Sequence, residues 1–165
     1  MKQATIRSGQ GIGTVSVGEA PVPAAGPGEA LVRLHAATLN YRDLIVAKGL
    51  IPGIGKEPEV VPLSCGAGEV VAVGDGVKRV RPGDRITPIF ATGWIDGPRT
   101  VSTMLGGSVD GVARQYAVFP ADSLCRTRFT PSPTATTSPA PQESGTTSGS
   151  LPMPGIRPLA TIRSR

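Results

Sequence analysis

The sequence predicts a mainly β fold: a partly open β-barrel with one or two short helices, followed by a disordered tail. Many short apolar stretches within residues 1–124 end at Gly or Pro, which is typical of barrels built from short strands. One segment after residue 39 changes to helical spacing. Within residues 125–165 hydrophobic periodicity is lost, and Ser, Thr and Pro make up 21 of the 41 residues, a composition that favours disorder.

Three strands are predicted in the first quarter of the chain. The stretches "ATIRS" and "GTVSVGEAPVP" alternate weakly and stop at Gly and Pro, so they predict an opening hairpin. The stretch "GEALVRLHAATL" is the clearest strand, because alternation separates its two faces. One face carries Ala30, Val32, Leu34 and Ala36, and the other carries Leu31, Arg33 and His35.

The stretch "NYRDLIVAKGL" predicts a short helix. Helical spacing begins at Tyr41, Asn40 is a favourable N-cap, and Gly49 is a favourable stop. The loop "IPGIGKEPEVVPL" follows. Three more strands are predicted in "GAGEVVAVGDGV", "RPGDRITPIF" and "GVARQYAVFP", with turns at "GDG" and "PGD" in the first two.

The charge distribution argues against a nucleic-acid partner. The net charge of the chain is +5. Residues 1–124 hold 12 Lys or Arg against 11 Asp or Glu, whereas residues 125–165 hold five Arg against one Glu. The basicity therefore belongs to the tail, and a nucleic-acid-binding domain would carry a basic face on its fold.

The sequence also predicts a cytoplasmic protein without a membrane segment. The N-terminus lacks the apolar core of a signal peptide, and no apolar run approaches the ~20 residues needed to span a bilayer. Cys65 and Cys125 are far apart and form no CxxC motif, which fits a reducing compartment.

Three stretches together resemble a known family. They are "GPGEALVRLHAATLNYRDLIVAKG", "GAGEVVAVGDGVKRVRPGDRI" and "DGVARQYAVFPADSL". They resemble the N-terminal catalytic domain of the medium-chain dehydrogenase/reductase superfamily, in its zinc-independent, quinone-oxidoreductase-like branch, also described as zinc-type alcohol dehydrogenase-like. The resemblance implies a GroES-like barrel over residues 1–124. It further implies a Rossmann domain that binds NADPH or NADH, with a carbonyl, enone or quinone substrate in the cleft between the two domains.

The resemblance also predicts the absence of zinc. Zinc-dependent members carry a Cys where this chain has Asn40, and Gly-His-Glu where it has Leu63, Ser64 and Cys65. Asn40 and Ser64 are poor zinc ligands, and catalytic zinc needs three N, S or O ligands from the protein. The four-cysteine lobe of zinc members is replaced by "FATGWIDGPRTVSTMLGGSVDG".

The nucleotide-binding half of the family is not found in the sequence. The fingerprint G-x-G-x-x-G should follow a strand and open a helix. The candidate "GQGIG" has the wrong spacing and precedes a strand, so it predicts a hairpin turn. We therefore expect the Rossmann domain to be absent and this chain alone to bind no cofactor. The change after Leu124 suggests an out-of-frame or truncated product; a genuine interaction tail is the alternative.

Within the family resemblance, Asn40, Tyr41 and Asp43 are the candidate catalytic residues. Asn40 and Tyr41 would donate hydrogen bonds to a substrate oxygen, and Asp43 would support them. A purely structural interpretation stays open, because Asn40 and Asp43 also suit a helix cap and Tyr41 also suits ordinary packing. Arg42 either stabilises negative charge or points to solvent. His35 is expected to be a bystander.

Two functions remain open at this stage. The first is a fragment of an NAD(P)H-dependent oxidoreductase that is inactive alone. The second is a non-enzymatic β-barrel module with a disordered interaction tail. The sequence leaves the substrate, the choice between NADH and NADPH, and the oligomeric state open.

Overall fold

A computed structural model describes residues 1–51, 59–98 and 103–127. The predicted tail lies almost wholly outside these residues. Seven strands and one α-helix are described: β1 (Lys2–Thr5), β2 (Ser16–Glu19), β3 (Glu29–Thr38), α1 (Tyr41–Ala47), β4 (Cys65–Val73), β5 (Arg85–Pro88), β6 (Tyr116–Pro120) and β7 (Leu124–Arg126). Two single 3-10 turns, Ile12–Thr14 and Ala121–Ser123, complete the described elements.

The first two strands form the predicted opening hairpin. β1 and β2 pair antiparallel, with Lys2 opposite Glu19 and Thr5 opposite Ser16. The connection passes through Gly9 and Gly11, whose φ angles of 78° and 85° lie in the left-handed region that glycine adopts without strain. The glycine-rich stretch at residues 9–13 is therefore a hairpin connection, as predicted.

The other five strands form one antiparallel sheet in the order β6-β3-β4-β5-β7, which curls into a half-barrel. β3 is the longest strand and pairs with both β4 and β6. Each of the strands predicted in the later sequence is present. The predicted mainly β, partly open barrel with a short helix is therefore confirmed. β7 begins at the predicted barrel end, Leu124, and continues to Arg126 by pairing with β5.

One detail of the predicted alternation in β3 is wrong. Ala30, Val32 and Leu34 are buried as expected, but Ala36 is exposed. The pairing between β3 and β4 shifts register between Leu34 and Ala36. Such a bulge interrupts the two-residue alternation of a strand, which a local pattern cannot foresee. His35 is exposed, as predicted.

The main core lies on the inner face of the curled sheet. Its largest fully buried side chain, Phe119 of β6, is 1% exposed. Close contact between strands requires glycine at one position of β4, because a Cβ on Gly68 would lie 2.2 Å from the Arg33 carbonyl oxygen. The buried members of this cluster are Ala30, Val32, Leu34, Val70, Val80, Ile86, Leu105, Val112, Ala117, Phe119, Ala121 and Leu124.

Helix α1 is held by two smaller clusters. Val46 packs with Ala91 and Met104, and Phe90 borders this group. Ala47 packs with Ile6 and Val60. The seven-residue helix is too short to be stable alone in water, so these tertiary contacts determine its position on the barrel.

Replacing Phe119 by Ala should destabilise the chain by about 3–5 kcal/mol, because it removes a buried aromatic side chain and leaves a cavity. Urea unfolding followed by circular dichroism measures this change. The matched control is Val17→Ala in β2, where the side chain is 74% exposed; its effect should stay within about 0.5 kcal/mol. Equal effects of the two substitutions would contradict the assigned core.

Candidate functional site

The candidate site begins where β3 runs into α1. Asn40 has extended dihedral angles, φ −122° and ψ 154°, and immediately precedes the helix, as an N-cap does. The helix ends in a turn at Gly49, whose φ is 68°. The start and stop predicted from the sequence are therefore both confirmed.

Asn40 and Asp43 form a capping box. The Asn40 backbone N–H donates to Oδ2 of Asp43 at 2.7 Å. The Asn40 side-chain amide nitrogen, Nδ2, and Asp43 Oδ1 are buried and find no hydrogen-bond partner within the described part of the chain. The helix-cap interpretation of these two residues is thus correct, and each also keeps one free polar atom.

The electrostatic environment of Asp43 favours its neutral form. Burial raises the pKa of the Asp43 carboxyl above the usual value. The hydrogen bond from the Asn40 backbone and the positive charge of Arg42 lower this pKa and partly offset the effect of burial.

Tyr41 faces solvent. Its side chain is 78% exposed, so the interpretation of Tyr41 as an ordinary half-buried aromatic is wrong. Leu44, three residues later on the same helix, is 42% exposed. The outward side of α1 therefore presents a phenolic hydroxyl beside apolar surface.

Arg42 turns inward, which the sequence did not settle. Its Nη1 donates to the Leu105 carbonyl oxygen at 3.0 Å, and its guanidinium lies over the Phe90 ring, 4.7 Å from the centroid. Burial lowers the pKa of Arg42, while the charges of Asp43 and Cys65 raise it. The guanidinium still stays cationic at neutral pH.

The segment before β4 adjoins the start of α1. Thr38 at the end of β3 is opposite Cys65 at the start of β4, so both connections leave the sheet at one edge. Ser64 is 4% exposed, and its Oγ lies 3.8 Å from Cys65 Sγ. The Cys65 thiol is exposed.

Leu63 is a feature of this edge that sequence reasoning missed. Its φ is 70°, and among the described residues it is the one non-glycine residue whose backbone is left-handed. Val112 N–H donates to the Leu63 carbonyl at 2.9 Å, and a Cβ on Gly111 would lie 2.0 Å from that same oxygen. Nothing local in the sequence signals this conformation, because Leu normally avoids it.

The residues at this edge do not fit a catalytic zinc ion. Asn40, Ser64 and Cys65 stand where the family's zinc ligands and their neighbour would be, and only the thiol is a good zinc donor. Across residues 1–51, 59–98 and 103–127, no group of three or more His, Cys, Asp or Glu side chains is arranged to hold a metal.

The described residues do not fit a dinucleotide either. A dinucleotide cradle needs a glycine-rich turn between a strand and a helix. β3 enters α1 through Leu39 and Asn40, and Gly66 and Gly68 lie inside β4.

Other charged features have structural partners. In the basic run of residues 78–85, Arg79 Nε donates to the Leu124 carbonyl at 3.4 Å, and Arg81 pairs with Asp84 at 3.9 Å. Both arginines are exposed. None of the helices in the described ranges has the length and apolar character needed to cross a membrane.

Comparison with known proteins identifies the family. The chain belongs to the family of the alcohol dehydrogenase GroES-like domain, which matches residues 26–128. Its relatives are dehydrogenases and oxidoreductases of the medium-chain superfamily, so the predicted resemblance is confirmed.

Two curated relatives show the range of this similarity. The chain is 46% identical over 101 residues to a zinc-type alcohol dehydrogenase-like protein of Schizosaccharomyces pombe; the match covers 59% of this chain and 29% of that protein. It is 35% identical over 75 residues to a chloroplastic quinone-oxidoreductase of Triphysaria versicolor; here the match covers 45% of this chain and 23% of the relative. The chain therefore spans less than a third of either relative.

Solved structures share the fold. A thermostable alcohol dehydrogenase from Pyrobaculum aerophilum is 28% identical with a TM-score of 0.62; the match covers 78% of this chain and 42% of that one. A crotonyl-CoA carboxylase/reductase, AntE, solved in complex with NADP, is 27% identical with a TM-score of 0.60; the match covers 76% of this chain and 36% of that one. Members of the family thus bind a nicotinamide cofactor.

The raised pKa of Asp43 predicts a pH-dependent stability. The folded state binds a proton at Asp43 more tightly than the unfolded chain, so this stabilisation is present below the ordinary pKa of Asp and is lost as pH rises through the raised pKa. We expect the stability of the wild-type chain relative to Asp43→Asn to increase as pH falls from neutral to about 4.

Thermal unfolding of both chains across that range measures the difference. Asp75→Asn, at an exposed carboxylate, is the control for a generic charge effect. If the melting temperatures of wild type and Asp43→Asn change in parallel with pH, burial does not raise the pKa of the Asp43 carboxyl.

Proposed function

We propose that this chain is the substrate-side barrel of an NAD(P)H-dependent oxidoreductase that acts on carbonyl, enone or quinone compounds. The observation that carries the proposal is the unpartnered Asn40 amide next to the exposed Tyr41 side chain, at the sheet edge of a barrel from this family. Residues outside the described part of the chain, or in another chain, would hold the nicotinamide. Without them the chain should be inactive.

In this proposal Asn40 and Tyr41 bind the substrate oxygen. The Asn40 Nδ2 is a donor that the described fold leaves without a partner, and the Tyr41 hydroxyl is free to approach a ligand from solvent. Both are neutral donors, suited to an oxygen that gains negative charge during reduction. The two donors would orient the substrate and stabilise that charge.

Asp43 supports this pair without touching the substrate oxygen. Its carboxylate accepts the Asn40 backbone N–H at 2.7 Å, so it fixes the backbone that carries the Asn40 side chain. A substitution at Asp43 should therefore act through Asn40. We assign no metal to the site, because two of the three side chains in the ligand positions are poor donors for zinc.

We further propose a cytoplasmic location and a barrel that ends near residue 124. Two free, exposed cysteines, Cys65 and Cys125, fit a reducing compartment. The balanced charge of residues 1–124 gives no reason to expect a nucleic-acid partner. The competing function, a non-enzymatic module, would require a defined partner for residues 125–165.

Substitutions at the two donors test the substrate role. We expect Asn40→Ala and Tyr41→Phe each to weaken the binding of cyclohexanone by about 3- to 10-fold, the loss typical of one hydrogen bond. Cyclohexanone is a carbonyl ligand without a conjugated double bond, so the exposed thiols cannot undergo conjugate addition to it. Chemical-shift titration of backbone amides measures its affinity.

Tyr116→Phe, at the half-buried second tyrosine, is the matched control and should leave the affinity unchanged. If wild-type amides near residues 40–43 do not respond to cyclohexanone, or if all three variants bind alike, the assignment of the site fails.

The cofactor expectation is tested separately. NADPH added to this chain should show no saturable binding in the micromolar range, because the described residues provide no glycine-rich turn for the pyrophosphate. Enhancement of NADPH fluorescence is the measurement. Saturable micromolar binding would overturn the proposal that the nicotinamide is held by other residues.

A further inference from the structure

Arg42 occupies a position of α1 where an apolar residue would be expected. It lies four residues before Val46, so the two side chains share one face of the helix. Val46 is 3% exposed and packs in the cluster with Ala91 and Met104. An amphipathic helix places apolar side chains on such a face. Burying a charged side chain on this face costs free energy, so the presence of Arg42 there needs a structural or functional explanation.

The guanidinium of Arg42 links α1 to two other segments. It donates to the Leu105 carbonyl and lies over the ring of Phe90. These two segments are bonded to each other, since Leu105 N–H donates to the Phe90 carbonyl at 3.1 Å. The guanidinium therefore contacts two segments that are hydrogen-bonded to each other. Its planar shape lets it stack on the Phe90 ring while an N–H donates to the Leu105 carbonyl, a geometry that a lysine ammonium does not reproduce.

The charge of Arg42 also acts on the capping box. The pKa of Arg42 is raised by the neighbouring Asp43 carboxyl, and the pKa of Asp43 is in turn lowered by Arg42. Burial favours a neutral Asp43, whereas the neighbouring guanidinium favours the carboxylate. The carboxylate is the stronger acceptor for the Asn40 backbone N–H. The positive charge of Arg42 therefore strengthens the hydrogen bond by which Asp43 holds the Asn40 backbone.

We propose that Arg42 is a positioning residue, which anchors the first turn of α1 to the Leu105 and Phe90 segments and keeps Asp43 bonded to the Asn40 backbone, so that the Asn40 amide points to the substrate oxygen. The proposal rests on the proposed function only for the identity of that ligand. The link from Arg42 through Asp43 to Asn40 is a property of the chain itself and can be tested without any ligand.

The chain offers a direct probe of this link, because Asn40 is its only asparagine. Selective 15N-asparagine labelling of the full chain gives one backbone amide signal and one pair of side-chain amide signals. Both should report the protonation of Asp43 as pH is varied. The variants are Arg42→Met, which keeps an unbranched apolar chain without charge, and Arg42→Lys, which keeps the charge without the planar fork. Arg33→Met, at an exposed arginine of β3, is the matched control.

We expect Arg42→Met to raise the midpoint of the Asn40 backbone titration, because it removes a nearby positive charge that lowers the pKa of Asp43. Arg42→Lys should keep a midpoint close to wild type but shift the Asn40 side-chain signal. In cyclohexanone titrations Arg42→Met should bind about threefold more weakly than wild type, a loss no larger than that of Asn40→Ala, because Arg42 acts through Asn40. A merely structural role would lower the melting temperature without moving the midpoint.

An unchanged midpoint and unchanged Asn40 signals in folded Arg42→Met would overturn the proposal, as would an equal change in Arg33→Met. If Arg42→Met fails to fold, the Arg42→Lys variant provides the test. Asn40 side-chain signals identical to those of wild type would then overturn the proposal. If wild type shows the Asn40 titration and its dependence on Arg42 but does not bind cyclohexanone, the positioning role stands and the proposed substrate function fails. The two hypotheses are therefore separable.

Discussion

The antiparallel pairing of β3 with β4 is the interaction on which the rest of the structure depends. It places the longest strand inside the sheet, between β6 and β4, and brings its end, Thr38, opposite Cys65. The close approach of these strands requires a glycine at position 68, where any Cβ would collide with the Arg33 carbonyl. Because this pairing determines where β3 ends and where β4 begins, it also determines where α1 starts and which residues lie beside it.

The candidate site illustrates how one group of residues can serve structure and chemistry together. The capping box of Asn40 and Asp43 is sufficient to start the helix, yet each residue keeps a buried polar atom without a partner in the described ranges. Arg42 adds a partly buried charge where packing alone would favour an apolar side chain. Helix capping explains the backbone at this point, while the unpaired atoms and the charge are features that a binding role would use.

In the proposed function the barrel provides one wall of a substrate cleft. Its relatives bind nicotinamide cofactors, but the described residues contain no glycine-rich turn leading into a helix. The chain also spans less than a third of its curated relatives. In the proposed function, therefore, the barrel supplies the hydrogen-bond donors for the substrate oxygen, and other residues hold the hydride donor.

The sequence by itself determined the short strands, the short helix with its cap at Asn40 and stop at Gly49, and the poor zinc-ligand set, because each depends on neighbouring residues or residue chemistry. Only the tertiary structure decided that Ala36 faces outward, that Arg42 turns inward to Leu105 and that Leu63 takes a left-handed backbone. A bulge, a long-range hydrogen bond and a tight contact with Gly111 cause these features. Each joins residues distant in the chain, and so no local pattern encodes it.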